Sequence, residues 1–105
     1  YVEIPQDVVT KTGNDAYQAA KIPAGTYDGQ EPDVPTVAIT NILVTHSDVP
    51  DDIAYQMTKL LFENLDQLGN AHSAAKDIKL ENATKALPIP LHPGAERYYK
   101  EAGVL

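Results

Sequence analysis

The sequence predicts a globular chain of the α/β class, in which a buried strand leads into a long amphipathic helix. The first observation is the apolar, β-branched run TVAITNILVT at residues 36–45. The second is the acidic segment of residues 48–52, which has the residue types of a helix start. The third is the recurrence of apolar residues at spacings of three and four between Ile53 and Leu68. Together they predict a strand covered by helices, which is typical of layered α/β proteins.

Composition limits the class of protein and of partner. The 105 residues suffice for one modest domain, and 43% hydrophobic and 22% charged residues disfavour a disordered or fibrous class. The net charge of -7 repels phosphate groups, which argues against nucleic acids and anionic membrane surfaces as partners. Cysteine is absent, so there is no disulfide, thiolate metal site or cysteine nucleophile. The start at Tyr1 suggests a fragment of a longer polypeptide, with tag removal as the alternative.

In the N-terminal third, the sequence predicts short strands and a short helix, followed by a hinge. Residues 2–4 are expected to end a strand, residues 6–11 to form a short helix that stops at Gly13-Asn14, and residues 17–22 to form a second strand. Prolines and glycines interrupt residues 23–35, which predicts a domain boundary or hinge. Its acidic residues lack the regular spacing of a calcium loop, so a solvated loop is expected.

The strand over residues 34–44 is expected to be buried on both faces because it is rich in β-branched residues. Thr40 and Asn41 interrupt the apolar run. An unpaired buried amide costs about 1 to 3 kcal/mol. Two interpretations remain: a bend whose polar groups bond to the backbone, or a polar group presented to a ligand.

The helix that follows has the clearest pattern. Asp48 is expected to cap it, Pro50 suits its first turn, and Asp51 and Asp52 place negative charge at the positive end of the helix dipole. Its apolar stripe is expected to be core, and Gly69-Asn70 to end it. The stripe consists of Ile53, Met57, Leu60, Leu61, Leu65 and Leu68.

The C-terminal part predicts shorter elements. Residues 73–78 and 80–87 fit two short helices or one bent helix, and the alternating prolines of residues 88–91 require an extended segment. His92-Pro93-Gly94 opens a final helix over residues 95–101, which ends near Gly103.

No set of residues in the sequence predicts catalysis, a metal or a cofactor. His46, His72 and His92 lie far apart in the chain, without the closely spaced pair of a zinc site. The neighbours His46, Ser47 and Asp48 point in different directions and lack the glycines of a nucleophile elbow. Gly25 and Gly29 do not form a phosphate-binding loop.

Several segments carry a resemblance to a known family, in the family's order along the chain. These are IPAGTYDGQ at residues 22–30, DVPTVA at residues 33–38, LLFENL at residues 60–65 and IPLHPGAERYY at residues 89–99. Together they resemble the C-terminal third of the TAXI family, the extracytoplasmic solute-binding subunits of TRAP transporters. The first and last of these segments are the most specific.

The resemblance implies part of a periplasmic binding protein of the type II fold, a two-lobed α/β receptor that traps a solute between its lobes. This chain would be a C-terminal fragment, since full-length members are about three times longer. Residues 1–35 would finish the second lobe and form the hinge, and residues 36–105 would return to the first lobe. The resemblance implies neither catalysis nor a cofactor, and a fragment of this kind is not expected to close on a ligand alone.

The same resemblance places four candidate ligand-binding residues near the hinge: Tyr27, Thr36, Thr40 and Asn41. The competing interpretation is that Tyr27 packs at a turn and the threonines satisfy the strand. The implied partners are a small solute, such as a dicarboxylate or an acidic amino acid, a TRAP permease, and the remaining receptor or a swapped homodimer. An anionic solute would need Arg or Lys partners. The alternative function is a small structural or protein-interaction domain without catalysis.

Overall fold

The computed structural model describes all 105 residues, which form two compact units of mixed α and β structure. The first unit contains residues 1–42 and 86–88, and the second contains residues 43–85 and 89–105. The elements in chain order are α1 (Gln6–Lys11), β1 (Tyr17–Ile22), β2 (Val34–Ile39), α2 (Asp51–Glu63), α3 (Leu65–Ala71) and α4 (Pro93–Glu101). The predictions of α1, of β1 and of a final helix are confirmed.

A two-stranded antiparallel sheet organises the first unit. Strands β1 and β2 pair from Tyr17 opposite Ile39 to Ile22 opposite Val34. Proline has no N–H, and the Pro35 carbonyl accepts from Ile4 N at 2.9 Å, outside the sheet. Pro35 and its partner Lys21 are therefore a non-hydrogen-bonded pair. Since such pairs alternate along a ladder, the main-chain groups of Val37 and Ile39 also face away from β1.

Helix α1 supplies the other side of this unit's small core. Val9 on α1 and Val34 on β2 are its buried hydrophobic residues. Asp7 in the first turn and Lys11 in the last turn pair at 3.1 Å, which suits the helix dipole. So short a helix depends on this packing, because isolated helices below about 12 residues are marginal in water.

Two strand predictions in the first unit are wrong. Residues 2–4 form no strand, because only one backbone hydrogen bond, from Ile4 N to the Pro35 carbonyl, joins them to β2. Strand β2 ends at Ile39 instead of reaching residue 44, and it is not buried on both faces. Ile39 is 63% exposed, and beyond the strand Leu43 is 78% exposed. A β-branched run indicates a strand, but burial on both faces requires covering elements that β1 alone does not provide.

Helices α2 and α4 pack closely in the second unit, and Gly94 allows this approach. A Cβ atom at Gly94 would lie 2.1 Å from the Asp51 carbonyl oxygen and 2.9 Å from the Ala54 Cβ. Ala54 and Tyr99 are the buried hydrophobic residues at the packing. Phe62 extends it, since its ring stacks on Tyr98 at a centroid distance of 6.0 Å.

The predicted start and stop of the long helix both need correction. Pro50, not Asp48, is the N-cap residue of α2, and no side chain caps the helix. Asp48 instead donates its N–H to His46 Nδ1 at 3.2 Å, within the preceding turn. The helix breaks at Asn64 (φ −122°, ψ 26°), and α3 then runs through Gly69 to Ala71. The predicted stop at Gly69-Asn70 is therefore wrong, because both residues lie inside α3.

The predicted core stripe is only partly buried: Leu61, Leu65 and Leu68 are half-buried, and the other three residues are exposed. Ile53 is 53%, Met57 48% and Leu60 54% exposed. The neighbouring face, which carries Ala54 and the half-buried Phe62, packs against α4. An apolar stripe indicates a helix face suited to burial, but which apolar face is covered depends on where the partner helix lies.

The C-terminal part of the chain forms short helical elements and a final helix, as the sequence pattern predicts. Residues 73–87 contain two short 3₁₀ helices, Ser73–Asp77 and Leu80–Asn82, so the alternative of two short elements holds. Helix α4 begins at Pro93, with His92 as its N-cap residue. His92 Nδ1 accepts from Gly94 N at 3.1 Å, and Nε2 lies 3.0 Å from the Val49 carbonyl. Since Nδ1 accepts, Nε2 carries the proton and donates to Val49, which ties the start of α4 to the approach to α2.

Polar side chains bridge α2 and α4 at the surface. Tyr55 donates its hydroxyl to Glu101 Oε2 at 2.8 Å, and Arg97 lies over the Tyr55 ring at 4.3 Å. Arg97 also pairs with Asp52 at 2.9 Å. The hydrogen bond to Glu101 is the largest cause of a raised pKa at Tyr55, because ionisation removes the O–H that Tyr55 donates; burial and the negative charge of Glu101 add to it.

Replacing Glu101 with alanine is therefore expected to move the Tyr55 pKa down toward the ordinary phenol value of about 10. With a folded-state pKa above the unfolded one, the Tyr55 contribution to stability is present below that ordinary value and is lost as the pH rises through the raised pKa. NMR titration of Cζ-labelled tyrosines would resolve Tyr55 from the other five. Glu96→Ala is the matched control, because Glu96 pairs with Lys100 instead. An unchanged Tyr55 titration in Glu101→Ala would contradict this assignment.

Candidate functional site

The loop of residues 23–33, between β1 and β2, folds around Gln30. This side chain is only 5% exposed and is the buried polar residue of the chain. Its Nε2 donates to the carbonyl oxygens of Ile22, Pro23 and Pro32 at 3.2, 3.1 and 3.1 Å. The main-chain carbonyl of Gln30 accepts from Gly25 N at 2.8 Å. The side-chain amide of Gln30 thus holds together the first and last residues of the loop.

The orientation of the Gln30 amide follows from its three partners. Carbonyl oxygens only accept, so the atom that faces them must be the nitrogen. The other amide atom, Oε1, is buried and bonds to no protein group. A buried acceptor without a partner is uncommon, so this loop has an unused hydrogen-bonding position at its base.

An ion pair closes the base of the same loop. Lys21 Nζ lies 2.6 Å from Asp33 Oδ2, and Asp33 Oδ1 accepts from Ala24 N at 2.8 Å. The hydrogen bond from Lys21, followed by that from Ala24 N, lowers the pKa of Asp33. The hydrogen bond to Asp33 and its charge raise the pKa of Lys21. The pair is exposed, so its electrostatic attraction is screened by water and salt.

Two tyrosines form an exposed aromatic surface beside the loop. The Tyr1 and Tyr27 rings stack with centroids 5.5 Å apart and planes 20° apart. Tyr27 is 52% exposed. Gly25 and Gly29, with φ of 75° and 77°, provide the left-handed turns on either side of Tyr27. The loop therefore presents Tyr27 to solvent on a backbone that Gln30 holds in place.

The structure places the four sequence-predicted residues at different points of the hairpin. Tyr27 lies in the loop that joins the strands, and Thr36 is half-buried in β2 opposite Ala20. Thr40 and Asn41 are exposed immediately beyond the far end of β2. At about 3.3 Å per strand residue, the length of β2 separates them from Tyr27 by roughly 20 Å. Only Thr40 and Asn41 are immediate neighbours.

Lys21 is a candidate that the sequence reasoning missed. The first unit has two basic side chains: Lys11 pairs with Asp7, and Lys21 pairs with Asp33. Of these, only Lys21 lies on the hairpin that carries the candidate residues. The signal in the sequence is the position of this lysine, one residue before the IPAGTY segment.

The three histidines cap local structure at separate places. The Nδ1 atoms of His46, His72 and His92 each accept a backbone N–H two residues ahead, from Asp48, Ala74 and Gly94. No group of three or more acidic or histidine side chains is arranged to hold a metal ion.

The second unit has an open groove between α3 and the following 3₁₀ helix. It measures about 570 Å³ and includes Leu65, Asp66, Asn70 and Lys76 in its lining. None of the four sequence-predicted residues lines it. The groove and the Gln30 loop belong to different units, so each is a separate candidate for binding.

A family model described as the NMT1-like family matches residues 1–103. The match covers nearly the whole chain, including the Gln30 loop and the α2–α4 packing. None of the helices combines the length and apolar character that crossing a bilayer requires.

Proposed function

Because the chain belongs to the NMT1-like family, a periplasmic-binding-protein-like family, we propose that it is part of an extracytoplasmic receptor for a small anionic solute. Members of this family are typically extracytoplasmic solute-binding proteins and are generally not enzymes. The receptor would deliver its solute to an ion-coupled permease of the TRAP type, as the resemblance to the TAXI family implies. The observation that carries the proposal is the family match over residues 1–103.

The thin core of the chain supports a role as one part of a larger receptor. Its buried hydrophobic residues are Val9, Val34, Ala54 and Tyr99, and no side chain is fully enclosed. The TVAITNILVT segment and the stripe on α2 leave large apolar side chains in water. These surfaces are suited to further polypeptide. In the proposed receptor, residues 1–35 belong to one lobe and its hinge, and residues 36–105 belong to the other.

Within this receptor we assign solute contact to the hairpin. At the loop end of the hairpin Tyr27 offers a hydroxyl group, and Lys21 adds the positive charge that a carboxylate requires. Thr40 and Asn41 lie at the other end of β2, too far from Lys21 for one small solute to contact both ends. A dicarboxylate or an acidic amino acid has two carboxylates, and one of them would compete with Asp33 for Lys21. In the absence of solute, Asp33 would then occupy the position beside Lys21 that a carboxylate of the solute takes.

Lys21→Gln is expected to weaken the binding of succinate or L-glutamate about five-fold, since an exposed ion pair contributes up to about 1 kcal/mol. Binding would be followed by ¹⁵N NMR titration, with shifts expected at Lys21 and Tyr27, and smaller ones at Thr40 and Asn41 at the other end of β2. Rising salt concentration should reduce the difference in binding affinity between the wild type and the variant, because salt screens the charge of Lys21.

Lys11→Gln is the matched control, because it removes the same charge from the same unit at a residue of α1. Succinamide tests whether the anionic groups matter. If an anion binds but its shifts fall outside the hairpin, or if Lys11→Gln weakens binding as much as Lys21→Gln, the assignment of solute contact to this hairpin is wrong.

The second candidate function is a non-catalytic protein-interaction domain, which the exposed apolar surfaces favour. It differs from the receptor in its partner: it would bind a protein through the TVAITNILVT segment or the α2 stripe, with no dependence on a solute. Binding of succinate or L-glutamate at the hairpin would favour the receptor. Partner binding that is indifferent to both anions would favour the interaction domain.

A further inference from the structure

The loop that Gln30 holds contains a tight turn from Tyr27 to Gln30, closed by a hydrogen bond from Gln30 N to the Tyr27 carbonyl at 3.1 Å. Gly29 has a φ of 77° while Asp28 keeps a negative φ, a combination typical of a type II turn. Neither the Gly29 N–H nor the Asp28 carbonyl bonds to another group of the protein. The peptide group between Asp28 and Gly29 can therefore rotate while the closing hydrogen bond stays in place.

The carboxylate of Asp28 is equally unconstrained. Asp28 is exposed, and its side chain forms no ion pair or hydrogen bond, whereas Lys21 Nζ and Ala24 N hold the two carboxylate oxygens of Asp33. A Cβ atom at Gly29 would meet no atom within 4 Å, so the space around this peptide group is open. The carboxyl carbon of Asp28 can thus approach Gly29 N, which no side chain shields.

This combination occurs at one place in the sequence. Asp28 is the only aspartate that precedes a glycine, and no asparagine precedes one. Asp15 offers a comparison in the same unit, because it is exposed and precedes the small residue Ala16. The Ala16 N–H, however, already donates to Asn14 Oδ1 at 3.0 Å. Attack by a main-chain nitrogen on the preceding carboxyl group is therefore favoured at Asp28 and not at Asp15.

We propose that Asp28-Gly29 is a site of spontaneous aspartate isomerisation, at which the main chain is rerouted through the Asp28 side chain. Gly29 N loses its proton and bonds to Asp28 Cγ, and one carboxylate oxygen leaves as water with that proton and one from solvent. The product is a succinimide ring. Water then adds to the main-chain carbonyl carbon of Asp28, the bond from that carbon to Gly29 N breaks, and the nitrogen regains a proton. The new carboxyl group releases a proton to solvent, so no atom or charge is gained or lost overall.

The isoaspartate would change the loop because it lengthens the main chain. The path from Asp28 Cα to Gly29 N would run through Cβ and Cγ, one atom more than through the carbonyl carbon. An extra atom inside this turn displaces Gln30 N from the Tyr27 carbonyl. The Gln30 side chain moves with it, away from the carbonyl oxygens of Ile22 and Pro32. The modification would thus release the contact that holds the two ends of the loop together.

The reaction would act on the candidate solute-binding hairpin without a ligand, an enzyme or a cofactor. It needs only water, which reaches a solute-binding surface as well as a free one. None of its steps involves a solute, so the proposal stands or falls independently of the receptor assignment.

Incubation of the 105-residue chain in H₂¹⁸O at neutral pH would measure the reaction. Each passage through the succinimide places one ¹⁸O in residue 28, whichever ring carbonyl the water attacks. After digestion in ordinary water, fragment masses should locate the label at Asp28 before any appears at Asp15 or Asp33. Electron-transfer fragmentation should resolve the peptide into an aspartate and an isoaspartate form of equal mass.

Two variants test the parts played by Gly29 and by Asp28. Asparagine tolerates a positive φ but places a side chain beside its own nitrogen, so Gly29→Asn should slow labelling of Asp28 about five-fold or more. Asp28→Glu is the matched control for the loop, because it keeps the charge but would need a larger ring that closes far more slowly. Its Gln30 side-chain amide should stay protected from hydrogen exchange throughout the incubation.

The separated isoaspartate form of the wild type gives the structural readout. Gln30 is 5% exposed, and its Nε2 donates to three carbonyl oxygens in the unmodified loop. We expect its side-chain amide protons to exchange about ten-fold faster or more after modification, because the loop opens locally.

Three outcomes would overturn the proposal. The first is an absence of ¹⁸O at Asp28 in the folded chain, whether or not the chain is labelled in urea, since the turn would then prevent ring closure. The second is labelling of Asp15 or Asp33 as fast as Asp28, which would mean that the unbonded peptide group does not select the site. The third is an isoaspartate form in which Gln30 stays as protected as before, which would show that the modification leaves the loop closed.

Discussion

Gly94→Ala is expected to disrupt the second unit more than any other single-methyl change. The added Cβ would lie 2.1 Å from the Asp51 carbonyl oxygen, 2.7 Å from Tyr55 N and 2.9 Å from the Ala54 Cβ. The first two are backbone atoms of α2 and cannot rotate away, so α2 and α4 must separate. We expect a loss of about 3 kcal/mol or more in the free energy of unfolding, at the upper end of overpacking effects.

Thermal and urea unfolding followed by circular dichroism would measure this loss. Gly69→Ala is the matched control, because Gly69 also lies in a helix and its added Cβ would meet only the flexible Lys76 side chain at 3.2 Å. That control should be neutral or stabilising by up to about 1 kcal/mol, since alanine favours helix more than glycine does. Equal stability of the two variants would show that α2 and α4 do not approach as closely as described.

Gln30→Glu is expected to destabilise the loop of residues 23–33 by about 2 to 4 kcal/mol at neutral pH. The carboxylate has no N–H, so the carbonyl oxygens of Ile22, Pro23 and Pro32 would lose their donor and face a buried negative charge. The shape of the side chain is unchanged, so the effect would arise from hydrogen bonding and charge alone.

Acid should partly rescue this variant. Burial and the facing carbonyl oxygens favour the protonated carboxyl group, which regains one O–H donor, so the stability of Gln30→Glu relative to the wild type should rise as the pH falls. Gln18→Glu is the control: Gln18 Nε2 donates to the Asp15 carbonyl at an exposed position, and its replacement should change stability by less than about 1 kcal/mol. If Gln30→Glu matches this control at neutral pH, the amide does not hold the loop.

Local sequence patterns predicted the existence of most elements because each depends on nearby residues. Helix α1 follows Pro5, and α4 begins at Pro93, directly after His92. The α2 pattern predicted a helix correctly, but not its break at Asn64. Of the site, the pattern identified the loop around Tyr27 but not Gln30. A polar residue in a loop is usually exposed, and its burial here results from three carbonyl oxygens brought together by the fold.

By itself, the sequence determined the element types, the acidic charge that disfavours nucleic acids, and the membership of a solute-binding family over residues 1–103. Only the tertiary structure decided which apolar faces are covered: Ala54 is buried while Ile53 beside it is exposed, and β2 keeps an open edge at Val37 and Ile39. The physical reason is that propensity and periodicity act within a few residues, whereas burial and edge pairing depend on partners distant in the chain.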